Sequence, residues 1–266
     1  MRFIHLATAA LAISAAYCQM QDNREKKMTC SDHNGGSDRA HHCDIREQSF
    51  AGPGKLSVDG GVNGGATVKG WLRNDVLVRA KVETWGDSDA QTTQLASQVR
   101  VDATGPQIRA TGPENAGDNS GWSVSYEIFV PQTTDLDLKA HNGGISISDV
   151  RGRIEFNAVN GGVHLARIGG DISGSTVNGG LNVELAGSTF DGNQLEATTS
   201  NGGVTISMPE NYSAHIRTET VNGSVRSDFP ITMQGEIKHN LDFNVGSGGA
   251  LIHVATTNGG VRLKRT

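Results

Sequence analysis

The stretch NGGISISDV at 142–150 is followed by RGRIEFNAV at 151–159, NGGVHLARI at 160–168, GGDISGSTV at 169–177 and NGGLNVELA at 178–186. Cut this way, the chain repeats every nine residues. The fourth, sixth and ninth positions are Ile145, Ile147 and Val150, then Ile154, Phe156 and Val159, then Val163, Leu165 and Ile168, then Ile172, Gly174 and Val177, then Leu181, Val183 and Ala186. Thirteen of these fifteen are Ile, Leu, Val or Phe, while the fifth and seventh positions are mostly polar. Alternation of this kind is the mark of a strand with one buried face. A nonad is therefore a short strand plus a corner, and two nonads make one 18-residue coil.

Working outward, Asn-Gly-Gly recurs at Asn142, Asn160, Asn178, Asn201 and Asn258, with Asn-Gly-Ser at Asn222 and an earlier copy at Asn63. The first two intervals are 18 residues; later ones of 23, 21 and 36 imply insertions. A fixed period predicts stacking, because one unit cannot bury its apolar face alone. Asn and Gly tolerate positive φ, so the pair is expected to turn the chain sharply. Stacking would place Asn142, Asn160, Asn178, Asn201, Asn222 and Asn258 above one another as a structural turn ladder with amide-to-amide hydrogen bonds. The expected fold is all-β, a β-solenoid of five or six ~18-residue coils. The alternative is an antiparallel β meander, since Asn-Gly also marks hairpins. The parity flip between the sixth and ninth positions favours the coil.

Upstream, strand patterns occur at 55–59, 76–82 and 122–130, and Pro131 closes the last. Between them, Ser88-Asp89-Ala90 opens a stretch with Leu95 and Val99 four apart, which predicts one short helix. Residues 1–18 read as a signal peptide, with Arg2 ahead of a short apolar run and cleavage after Ala16 or Cys18. The organisation expected is then a polar tether over 19–45, a strand-rich portion with its helix over 46–131, and the repeat solenoid over 132–266. Localisation follows as exported: periplasm, outer envelope or cell surface. In that compartment Cys30 and Cys43 are expected to form a disulfide. A metal site from Cys30, His33, His42 and Cys43 is the weaker alternative, because its spacing fits no standard frame.

Glycine is the compositional outlier, 35 of 266 residues, with only 6 prolines and no Gly-X-Y period, which removes collagen. A net charge of −5 offers no basic excess for a nucleic-acid backbone. Catalysis on a β-solenoid needs paired carboxylates across a groove. Asp149, Glu155, Asp171 and Glu184 occupy different positions of the nonad and form no column, and His141 and His164 have no nucleophile at a fixed spacing. Calcium-binding rolls need a repeated G-G-x-G-x-D frame, matched only in part at Gly169. No enzyme, cofactor or metal is expected. Trp71, Trp85 and Trp122 are read as partly buried rather than as sugar platforms.

The run from Tyr126-Glu-Ile-Phe-Val-Pro131 into HNGGISISDVRG, then VNGGVHLARIGGD, TSNGGVTISMPENYSAHI and ATTNGGVRLKR, resembles the bacterial putative-adhesin β-strand-repeat family, similar to toastrack-like envelope proteins of uncharacterised function. The resemblance spans about residues 46–266 and implies an envelope or surface protein with no catalytic residues to transfer. The function expected is non-catalytic binding or scaffolding, with an envelope protein or polysaccharide as partner. Self-assembly through an uncapped C-terminal edge strand, Gly260–Thr266, or a role in envelope stress, is the alternative; a polysaccharide-acting enzyme ranks behind both.

Overall fold

The computed structural model describes residues 28–30, 39–230 and 239–266. The expected signal peptide and most of the expected tether lie outside these residues. Two ten-stranded sheets face each other across one apolar core. The repeat strands run in pairs: a long strand in one sheet, an Asn-Gly-Gly or Asn-Gly-Ser corner, then a short strand in the other. The pairs are β8 (Asp135–Asn142) with β9 (Ile145–Ser148), β10 (Arg151–Asn160) with β11 (Val163–Ala166), and β12 (Gly169–Asn178) with β13 (Leu181–Glu184). They continue as β14 (Gln194–Asn201) with β15 (Val204–Met208), β16 (Ala214–Asn222) with β17 (Val225–Ser227), and β19 (Leu251–Asn258) with β20 (Val261–Arg265). An earlier pair is β2 (Lys55–Asp59) with β3 (Ala66–Trp71).

Neighbouring pairs are parallel, so the meander is not the arrangement of the repeat. Asn160 is the register partner of both Asn142 and Asn178, and Leu136, Ile154, Ile172 and Leu195 form one inward row. Ile145, Ile147, Ile154, Phe156 and Leu165 are buried. Truncating one of the large aliphatics to Ala would cost about 2–5 kcal/mol. Phe156 has room because its register partner is Gly174, where a Cβ would stand 2.5 Å from the ring carbon Cγ.

The expected ninth inward position holds only at Val150 and Ile168. Val159 is half-buried and Val177 and Ala186 are exposed, whereas Ala158, Thr176 and Leu185 point inward. In β10 and β12 strand alternation simply carries on to the eighth position. A second correction concerns the corners. No Asn-Gly-Gly residue has positive φ; the left-handed positions in the repeat include Asp149 and Arg167, at the opposite corner. The first glycine of each motif answers a steric demand instead: a Cβ on Gly161, Gly179, Gly202 or Gly259 would run into the backbone of the preceding rung's glycine pair.

Antiparallel pairing is found towards the ends. β1 (Ala40–Ala51), β4 (Asp75–Gly86) and β7 (Gly121–Pro131) extend one sheet, and β5 (Arg100–Asp102) with β6 (Gln107–Thr111) ends the other. Residues 40–45 thus belong to a strand and not to a tether. The boundary drawn at 131/132 coincides with no break, because β2 and β3 lie inside the same sheets as β8 and β9. Helix α1 (Asp89–Gln98) begins where the sequence indicates, with the Ser88 hydroxyl capping Gln91 N. Its C-terminal carbonyls receive Arg46 from β1, at 2.9 Å to Ala96 O and 2.6 Å to Val99 O.

The C-terminal coil overturns the edge-strand expectation. β19 and β20 slide between the β14/β15 coil and the β16/β17 coil, so β20 is paired on both sides. The far end of the stack is formed by β17 and by β18 (Asn240–Val245), which returns antiparallel along β16.

Candidate functional site

The outward corner of the stack carries an unbroken row of side-chain amides. Asn222 donates to Asn258, Asn258 to Asn201, Asn201 to Asn178, Asn178 to Asn160, Asn160 to Asn142, and Asn142 to Asn63. The N···O distances are 2.8–3.1 Å and every bond points the same way. Each interior amide spends one N–H and one lone pair along the row, which leaves one of each for solvent or a partner. The spatial order is not the sequence order, since Asn258 sits between Asn201 and Asn222.

Two residues before the asparagine stand buried threonines that the sequence reading missed. Thr176, Thr199, Thr256 and Thr220 donate to the carbonyls of Gly161, Gly179, Gly202 and Gly259, each at 2.8 Å. Their hydroxyls satisfy a glycine carbonyl of the neighbouring coil, which ties corner to corner. The signal was present as a recurrent T-x-N-G, and it was obscured by placing the inward residue one position later.

On the far side of the corner, an open trough of about 570 Å³ crosses five strands on the outer face. Its floor is the second glycine of successive motifs, Gly144, Gly162, Gly180 and Gly203, and its wall includes Ser146, His164 and Asn182. The Asn182 amide donates to His164 Nδ1 at 3.1 Å, which sets Nε2 towards Glu184 at 3.9 Å. A second concavity of about 650 Å³ on the other sheet is lined by hydroxyls such as Ser175, Thr198 and Thr257.

The carboxylates weighed for catalysis are dispersed. Asp149 is held bidentately by Arg167 at 2.7 Å, Glu155 by Arg153 and Asp171 by Asn193. Asp137, not singled out from sequence, lies in register with Glu155. His141 and His164 stand on different rungs, and the ring of His164 meets Asn182 and Glu184. Trp71, Trp85 and Trp122 are each half-buried; Trp71 stacks on Phe129 at 5.4 Å and carries the Arg73 guanidinium over its ring at 4.3 Å. Cys30 and Cys43 are joined as a disulfide. His33 lies outside the described residues, and among those described no group of three metal-ligating side chains converges.

A family model described as Toastrack DUF4097 matches residues 86–264. No curated protein sequence matches the chain. Among solved structures the chain is similar to a candidate cell adhesion protein of Clostridium sporogenes, 12% identical with a TM-score of 0.46, over 84% of this chain and 100% of that one. It is also similar to a candidate adhesin of Bacteroides fragilis, 11% identical with a TM-score of 0.34, over 83% and 97%.

Proposed function

We propose that this chain, which belongs to the Toastrack DUF4097 family, is a non-catalytic scaffold of the bacterial envelope or surface that lays an extended partner along its stack. The observation that carries this reading is the continuous amide row from Asn63 to Asn222. It repeats one donor and one acceptor at the coil spacing of ~4.8 Å on a rigid two-sheet frame, which suits a repetitive partner and no single reacting atom. In this reading the 18-residue coil with its Asn-Gly-Gly corner is the functional unit. Export fits the Cys30–Cys43 disulfide, a bond that persists in oxidising compartments.

The test is co-sedimentation of the mature chain with purified envelope fractions, beside a variant carrying Asn160→Ala, Asn178→Ala and Asn201→Ala. Retention of the parent and its loss in the folded triple variant is the expected result. Equal retention of both, or of neither, would remove the ladder as the basis of function.

A further inference from the structure

The two glycines of each Asn-Gly-Gly are not equivalent. The first is forced by the neighbouring coil, as shown above. The second is freer at three rungs: a Cβ on Gly162, Gly180 or Gly203 would meet its nearest atom at 3.4, 3.5 and 3.6 Å, which is ordinary contact, and none of the three has positive φ, whereas on Gly65, Gly144 and Gly260 it would stand 2.7, 3.1 and 3.2 Å from a carbonyl oxygen. On the end rung, where no described strand of this sheet lies beyond β17, Ser224 fills the same position after Asn222-Gly223, and its carbonyl takes the Val261 amide as the glycine carbonyls do elsewhere. Glycine gives up more backbone freedom on folding than a residue with a side chain. The fold gives no return for that cost at Gly162, Gly180 and Gly203. What their bareness does create is the trough floor.

We infer that this trough is a binding site for a linear, uncharged glycan lying along the stack axis, across the strands. The inference rests on the scaffold reading and names its partner class. No Asp, Glu, Lys or Arg lines the trough, so a charged polymer finds no counter-ion in it. The floor offers backbone and Cα–H surface to the C–H face of a sugar ring, and Ser146, His164 and Asn182 offer hydroxyl, imidazole and amide groups to its ring hydroxyls. An added peptide strand would need a free sheet edge. Here the amides of Ile145, Val163 and Leu181 are already bonded to the carbonyls of Gly162, Gly180 and Gly203. The five strands span four coil steps, roughly 19 Å.

Titration calorimetry of the full mature chain with neutral cello-oligosaccharides tests this. Affinity is expected to rise with length until the ~19 Å span is filled and then level off. Gly180→Val, which fills the floor, is expected to weaken binding by about tenfold or more with an unchanged thermal midpoint. Asn182→Ala, which strips the wall and leaves the floor, provides the same reading if the valine variant does not fold. Absence of saturable binding at every length, or undiminished binding in both folded variants, overturns the inference. Tighter binding of an acidic oligogalacturonide or of an extended peptide overturns it too. Envelope co-sedimentation of Gly180→Val separates the two readings: retention without oligosaccharide binding removes the trough and keeps the scaffold.

Discussion

Alanine at two adjacent glycines should give opposite results. In Gly161→Ala the new methyl would stand 2.5 Å from the carbonyl carbon of Gly143 and 2.9 Å from the nitrogen of Gly144, both under the 3.0 Å that real Cβ atoms respect. These are backbone atoms of the next coil, so no rotamer relieves the clash; the coils must part, which stretches the Gly143 N to Asn160 O bond of 3.1 Å at the same corner. Overpacking of this kind costs about 1–3 kcal/mol. In Gly162→Ala the nearest atom is Gly180 O at 3.4 Å. Nothing need move, and the restricted unfolded chain contributes about 0.4–1 kcal/mol of stability. The pair should therefore differ by about 1.4–4 kcal/mol, or roughly 3–16 °C in midpoint for a chain of this size. Urea unfolding at constant m-value measures it directly. Equal midpoints for the two variants would refute the asymmetry between the glycines, and with it the argument that the second is spared for a ligand.

Three further outcomes are expected. Gly174→Ala should lose about 1–3 kcal/mol by meeting both the Phe156 carbonyl oxygen and its ring, and Phe156→Leu in the same chain should recover only the ring's share, a coupling that a double-mutant cycle reads. Thr199→Val keeps the shape but orphans the Gly179 carbonyl; a loss of about 1–3 kcal/mol in chemical unfolding is expected, and no loss would mean water replaces the hydroxyl. Asp242 is held below the ordinary carboxylate range by hydrogen bonds from His215, at 2.5 Å, and Arg217, at 2.8 Å. Its folded pKa is depressed, so its contribution is present above the unfolded value of about 3.9 and fades as pH falls through the folded one. Amide exchange in β18 should accelerate below about pH 4 in the parent, and Asp242→Asn should flatten that dependence.

The nonads fixed what depends on local pattern. Ile145, Ile147, Ile154, Phe156 and Leu165 are inward because strand alternation is a property of consecutive residues, and α1 starts at Ser88 because a cap acts within one turn. The parallel stacking of equal rungs follows from period, and so the amides of Asn142, Asn160 and Asn178 meet. What escaped the sequence depends on neighbours distant along the chain. Nothing local at Val261 or Leu263 says that 251–265 wedges between coils ending near 208 and 227; that choice is made by matching Ile252 to both Leu195 and Ile216 on the strands at its two sides. The reason for each first glycine likewise lies on another coil, in a backbone oxygen whose position is set only once the coils are stacked. Sequence determined the rung, through backbone pleat and period; tertiary structure decided the order of the rungs and the distance between them, because those are settled by packing between segments that the chain itself does not place side by side.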